Sequence, residues 1–68
     1  MPIDARAAQH TLILKTATGS ASPLAEALDQ AGWPEIIGTI AGDNTILVIT
    51  RDSRTATALR KKLLDLLQ

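Results

Sequence analysis

Gly38-Thr39-Ile40-Ala41-Gly42-Asp43-Asn44-Thr45-Ile46-Leu47-Val48-Ile49-Thr50 is the stretch that decides the fold. Two β-branched runs, Glu35 to Ile40 and Thr45 to Thr50, flank Ala41-Gly42-Asp43-Asn44. Branched side chains suit the pleated surface of a sheet. Glycine and short polar residues tolerate the φ > 0 geometry of a tight turn, so the segment predicts an antiparallel hairpin. Ile46-Leu47-Val48-Ile49 is apolar at every position, and successive strand residues point to opposite faces. Both faces of this strand therefore need cover.

Working back toward the N-terminus, Ser22-Pro23 predicts a helix start, with the Ser22 hydroxyl as N-cap and the proline in the first turn, where its missing N–H costs nothing. Leu24, Ala27, Leu28 and Ala31 follow at the spacing of one buried helix face, and Gly32 with Pro34 ends it. Ahead of this, Thr11-Leu12-Ile13-Leu14-Lys15-Thr16 reads as a strand, with Ala17-Thr18-Gly19-Ser20 as loop. Residues 1–10 are either a lead-in or an edge strand, and residues 11–68 form the domain proper. Beyond the hairpin, Asp52 or Ser53 caps a last helix whose stripe is Ala56, Leu59, Leu63 and Leu66 or Leu67, with Arg54, Arg60, Lys61 and Asp65 wet. The expected fold is α+β, a two-layer sandwich with an antiparallel sheet of three to four strands and two helices on one face.

Two helices cover one sheet face only, so the apolar residues of the other face predict a homo-oligomer, the alternative being a contact with a neighbouring domain. Size points the same way. A chain of 68 residues has a marginal core, and with no cysteine and a single histidine it has neither disulfide nor metal to reinforce it. Seven basic and seven acidic residues cancel, which argues against direct DNA or membrane binding by this segment. Without a spanning apolar run or a signal-like start, a cytoplasmic location is expected. At this length the chain is expected to be a piece of a longer protein.

Catalysis finds few candidates, so an enzyme is not expected, and no metal site is expected either. His10 reads as a surface residue, Arg60-Lys61-Lys62 as a solvated face near a helix C-terminus, and Trp33 as packing at a helix end. Asp43 lies at the hairpin tip, where it is either a turn residue or an outward carboxylate on a rigid support.

Gly38-Thr39-Ile40-Ala41-Gly42-Asp43-Asn44-Thr45-Ile46 resembles the G-T-I-A/C-G-D-D-T-I hairpin signature of arginine repressor C-terminal domains. The similarity continues in Leu12 to Thr16 with Gly19 and Ala21, in Ala27-Leu28-Asp29, in Trp33 to Ile37, and in Leu63 to Leu67, covering nearly everything after Thr11. The resemblance implies a DCoH-like sandwich that forms homotrimers, paired as homohexamers, with L-arginine as effector at the trimer–trimer junction. It further implies a separate N-terminal winged helix-turn-helix domain through which DNA is bound and arginine biosynthesis controlled. The implied ligand residues are Asp43 for the guanidinium, Asp29 in support, and Thr39, Ala41 and Gly42 through the backbone. Asn44 and Ser22 fall on site positions where the family usually has a second aspartate and often a glutamine, and Thr18 stands for a proline. Asn44 keeps an acceptor oxygen but loses a charge, a change worth about 1–3 kcal/mol in ligand binding. The alternative function is a purely structural oligomerisation module that binds no arginine.

Overall fold

The computed structural model describes residues 4–67. Expectations for residues 1–3, for Gln68 and for the side chain of Leu67 lie outside the described residues. The elements are β1 (Asp4–Ala8), β2 (Thr11–Lys15), α1 (Ala21–Ala31), β3 (Gly38–Ala41), β4 (Thr45–Ile49) and α2 (Ser53–Leu67). The strands form one antiparallel sheet in the order β1-β2-β4-β3, with Asp4–Ala8 as an edge strand. β3 runs parallel to β2, and β4 returns from the hairpin to fill the gap between them. The fold is the α+β sandwich expected, with four strands.

The alternation of the strands determines which residues meet the helices. Leu12 and Leu14 pair with Val48 and Ile46 across β2 and β4, and all four are fully buried. α1 lies over β3 and β4, while α2 lies over β1 and β2. Ala21, Ala25 and Leu28 come from the first helix, and Ala56, Leu59 and Leu63 from the second. Trp33 packs against the rim of this aliphatic core. Complete burial of a leucine or isoleucine side chain stabilises by about 1.5–3 kcal/mol, so these few residues supply most of the driving force.

Three local expectations are corrected. The helix begins one residue before Ser22: Ser20 is the N-cap, without a side-chain cap bond, and Ser22 sits exposed in the first turn beside Pro23. The buried stripe of α1 is Ala21, Ala25 and Leu28 with Leu24 half-buried, whereas Ala27 and Ala31 are exposed. Alanines stand on both sides of this helix, so spacing does not choose between the two stripes; the tie from Ala21 N–H to the Asp43 carbonyl sets the rotation. β3 spans Gly38–Ala41 rather than Glu35 to Ile40, because Pro34 and the Ile36 N–H to Trp33 carbonyl bond close a turn first.

At the far end of β4, Thr50 ties three segments together. Its amide donates to the His10 carbonyl at 2.9 Å, and its buried hydroxyl lies 2.7 Å from that carbonyl and 2.9 Å from the carbonyl of Asp52. Asp52 is the N-cap of α2, its carboxylate accepting from the Thr55 amide at 2.7 Å. Along α2, Leu66 is 61% exposed and Leu64 half-buried, so the stripe drifts away from Leu66 at its end. Arg60 is not simply wet: its Nε donates to the Ala5 carbonyl of the edge strand. Lys62 lies 3.0 Å from the Glu35 carboxylate and 4.0 Å above the centre of the Trp33 ring. That contact pins the segment leading into β3.

Outside the helix layer, the register sets Arg6, Ile13, Leu47 and Ile40 in one row across the open face. Ile13, Leu47 and Ile49 are half-buried and Ile40 is 68% exposed. The second apolar face anticipated for β4 is therefore left uncovered by the described residues.

Candidate functional site

The hairpin tip is Asp43-Asn44, closed by the Gly42 amide donating to the Thr45 carbonyl at 2.8 Å. Neither tip residue has positive φ, and neither does Gly42, which overturns the expected turn geometry. Two-residue hairpins with negative φ splay their strands, since their twist opposes that of the sheet. Tertiary bonds compensate. The amides of Gly19 and Ala21 donate to the Asp43 carbonyl at 3.0 and 3.3 Å, and the Thr16 amide donates to the Asn44 carbonyl at 2.8 Å. Gly19, at φ 82°, supplies the left-handed step that brings the loop round to the tip.

The tip backbone is thus held from three directions while its side chains are exposed. The Asp43 carboxylate accepts no hydrogen bond among the described residues. It is an anion on a rigid mount, suited to pair with an external cation without reorganising. Beside it, Thr45 Oγ1 donates to Asn44 Oδ1 at 3.0 Å and accepts from Lys15 Nζ at 2.9 Å. Lys15 and Thr45 carry no motif of their own; only the register that pairs them across β2 and β4 brings them to the tip.

Asp29 and Thr39 come together separately. The Thr39 hydroxyl lies 3.0 and 3.1 Å from the two Asp29 carboxylate oxygens, joining the end of α1 to β3. Thr39 and Asp43 are four residues apart along β3 and its turn, a span of about 13 Å for extended chain. One chain therefore holds two acidic positions, Asp43 with Asn44 and Asp29 with Thr39. Ala41 is half-buried and Gly42 exposed between them, and Ser22 stands one residue beyond the Ala21 amide that contacts the tip.

Perturbed carboxylates lie elsewhere. The hydrogen bond from Lys62 holds the Glu35 carboxyl below its ordinary range, and bonding to Thr55 does the same for Asp52. Both have structural partners. A shallow groove on the outer side of α2, lined by Arg54, Thr57, Ala58, Lys61 and Leu64, is built from one helix and includes no residue of the tip. Among the described residues there is no group of three or more histidine, cysteine or acidic side chains arranged to hold a metal. No helix among them is long and apolar enough to cross a membrane.

Known proteins match this chain over nearly its whole length. Residues 2–65 match the family model described as arginine repressor, C-terminal domain. An arginine repressor of Solibacter usitatus is 54% identical over 65 residues, covering 96% of this chain and 45% of the relative. Those of Koribacter versatilis and Acidobacterium capsulatum are 45% and 50% identical, over 94% and 82% of this chain and 43% and 38% of their own lengths. The chain thus spans under half the length of these curated relatives. With this fold, this hairpin and these matches, the chain belongs to the arginine repressor C-terminal domain family.

Proposed function

We propose that this chain is the effector-binding and oligomerisation part of a regulator of arginine metabolism. L-arginine is the effector, and it binds between subunits at the hairpin tips. The observation that carries this reading is the Asp43 carboxylate, without a hydrogen-bond partner among the described residues, on a backbone clamped by Thr16, Gly19 and Ala21. A guanidinium is planar and permanently charged, and it pairs with a fixed carboxylate through two parallel hydrogen bonds. Asn44, Ser22 and the backbone of Thr39, Ala41 and Gly42 complete the ligand's surroundings, with Asp29 in support from a second position. The family is one of transcriptional regulators, and no chemical conversion of the ligand is proposed.

The open sheet face supports self-association. Ile13, Leu47, Ile49 and Ile40 form an apolar surface with no covering element among the described residues, and burial of such a face between copies is favourable by about 25 cal/mol per Å². Homotrimers formed in this way pair as homohexamers, and arginine contacts that exist only in the larger assembly favour it by mass action. DNA is bound by a separate winged helix-turn-helix part of the longer protein, in the cytoplasm.

Sedimentation velocity with and without millimolar L-arginine tests the proposal, with L-lysine as the control for charge alone. Arginine is expected to shift the chain to the hexamer, and Asp43→Ala to abolish the shift while the fold persists. An assembly indifferent to arginine in both proteins would leave a purely structural oligomerisation module.

A further inference from the structure

The sheet order leaves two edges, β1 and β3, and their side chains treat them differently. An edge strand carries a row of unpaired N–H and C=O groups, which charged side chains or a covering group keep from pairing with another chain. β1 has both protections. Asp4 and Arg6 form an ion pair on it at 3.1 Å, and the Arg60 guanidinium reaches across from α2 to occupy the Ala5 carbonyl. β3 has no such guard: no charged residue stands between Ile36 and Gly42. Ile37 and Ile40, 66% and 68% exposed, lie at its start and within it. Antiparallel residues bond toward and away from their neighbour in alternation, and the hairpin is closed by Gly42 and Thr45. Thr39 and Ala41 therefore aim their N–H and C=O groups away from β4, toward the open edge.

We infer that β3 is a strand-addition edge, pairing antiparallel with β3 of a second copy of this chain about a twofold axis at Ile40. The stretch complements itself. Thr39 exchanges both backbone bonds with the partner's Ala41, and Ala41 with the partner's Thr39, so no outward group between them is left unpaired. Ile40 then stands directly against the partner's Ile40 in a close apolar pair. The open-face row of Arg6, Ile13, Leu47 and Ile40 runs on into the same row of the copy, with no charge at the seam. An unrelated extended segment would satisfy the backbone but interrupt that row. The inference rests on the proposed self-association, yet the seam is a different surface from the sheet face. It requires no ligand contact, and arginine adds to it.

Hydrogen exchange read amide by amide by NMR tests this on the unaltered chain, with and without millimolar L-arginine. The Ile40 amide bonds inward to β4 and serves as the internal reference. Thr39 and Ala41 amides are expected to exchange about tenfold or more slowly than those of an open edge. Sedimentation velocity on two proline variants adds a second readout, since proline removes an outward N–H from an edge without breaking the inner ladder. Ala41→Pro is expected to halve the sedimenting mass with circular dichroism unchanged, and Ala7→Pro, on the guarded edge, to leave the mass as it was. Fast exchange at Thr39 and Ala41 in whatever assembly forms, or a folded Ala41→Pro of unchanged mass, would overturn the inference. An assembly indifferent to arginine whose Thr39 and Ala41 amides are protected would keep the seam and remove the effector reading instead.

Discussion

Replacing Gly19 and Gly42 separately by alanine tests how the hairpin tip is held. Sequence pattern makes Gly42 the indispensable glycine, because it adjoins the turn. The structure reverses that order. Gly19 has φ 82°, and a Cβ built there meets nothing within 4 Å, so the penalty for alanine is purely that of the left-handed backbone. That penalty is about 1–2 kcal/mol. Gly42 lacks a positive φ, and its added Cβ would lie at an ordinary 3.8 Å from the Thr45 carbonyl oxygen. With a compatible backbone, alanine there restricts the unfolded chain and stabilises by about 0.4–1 kcal/mol. Urea unfolding followed by circular dichroism, at one protein concentration because the proposed association would contribute to stability, reads both changes. With a slope of about 1 kcal/mol per molar urea for a domain of this size, Gly19→Ala lowers the midpoint by about 1–2 M. Gly42→Ala is expected to leave it unchanged or raise it slightly. If Gly42→Ala is the more damaging substitution, then turn chemistry holds the tip and the clamp from residues 16–21 does not.

Leu59→Ala removes a fully buried side chain of α2 and is expected to cost about 2–5 kcal/mol. A domain of this size has about 3–10 kcal/mol in total, so thermal melting should show a largely unfolded protein near 37 °C. Asp52, whose folded pKa lies below its ordinary value through its bond to Thr55, contributes stability above the unfolded carboxylate pKa of about 4. That contribution is lost as pH falls through the lower folded value. Asp52→Asn keeps a capping oxygen, so urea midpoints between pH 7 and pH 2 should fall less steeply in it; identical acid limbs would refute the role given to the cap. Leu47→Lys places a charge in the centre of the open apolar row without touching the buried core. It should lower the sedimentation coefficient while circular dichroism stays unchanged, and an unaltered assembly would show that the row is not the interface.

Much of the architecture is legible before folding because it depends on short-range periodicity. Alternation in Thr11–Lys15 and Thr45–Ile49 puts Leu12 with Leu14 on one side of β2 and Ile46 with Val48 on one side of β4, while the β2–β4 register joins the two pairs on the face that the helices cover. Gly32 past α1 and Asp52 before α2 act within one helical turn, and both hold their expected stations. The continuous apolar run of β4 likewise announces a face that two helices cannot cover.

What sequence pattern leaves open involves residues far apart in the chain. The stripe of α1 is ambiguous among its alanines until Ala21 is tied to Asp43, and the conformation of the tip depends on amides supplied by residues 16–21. Asp43 and Asn44 can be named as candidate site residues from the hairpin signature, whereas the way the fold presents them cannot be read there. Lys15 and Thr45 are 30 positions apart, and the pairing of β2 with β4 alone brings them into a hydrogen bond beside the tip. The sequence by itself thus determined the elements, the alternation along each strand and the composition of the tip, since propensity, capping and alternation act over a few residues. Tertiary structure decided the rotation of α1, the negative-φ turn and the meeting of Lys15 with Thr45, because each depends on a partner that only the assembled sheet brings within 3.5 Å.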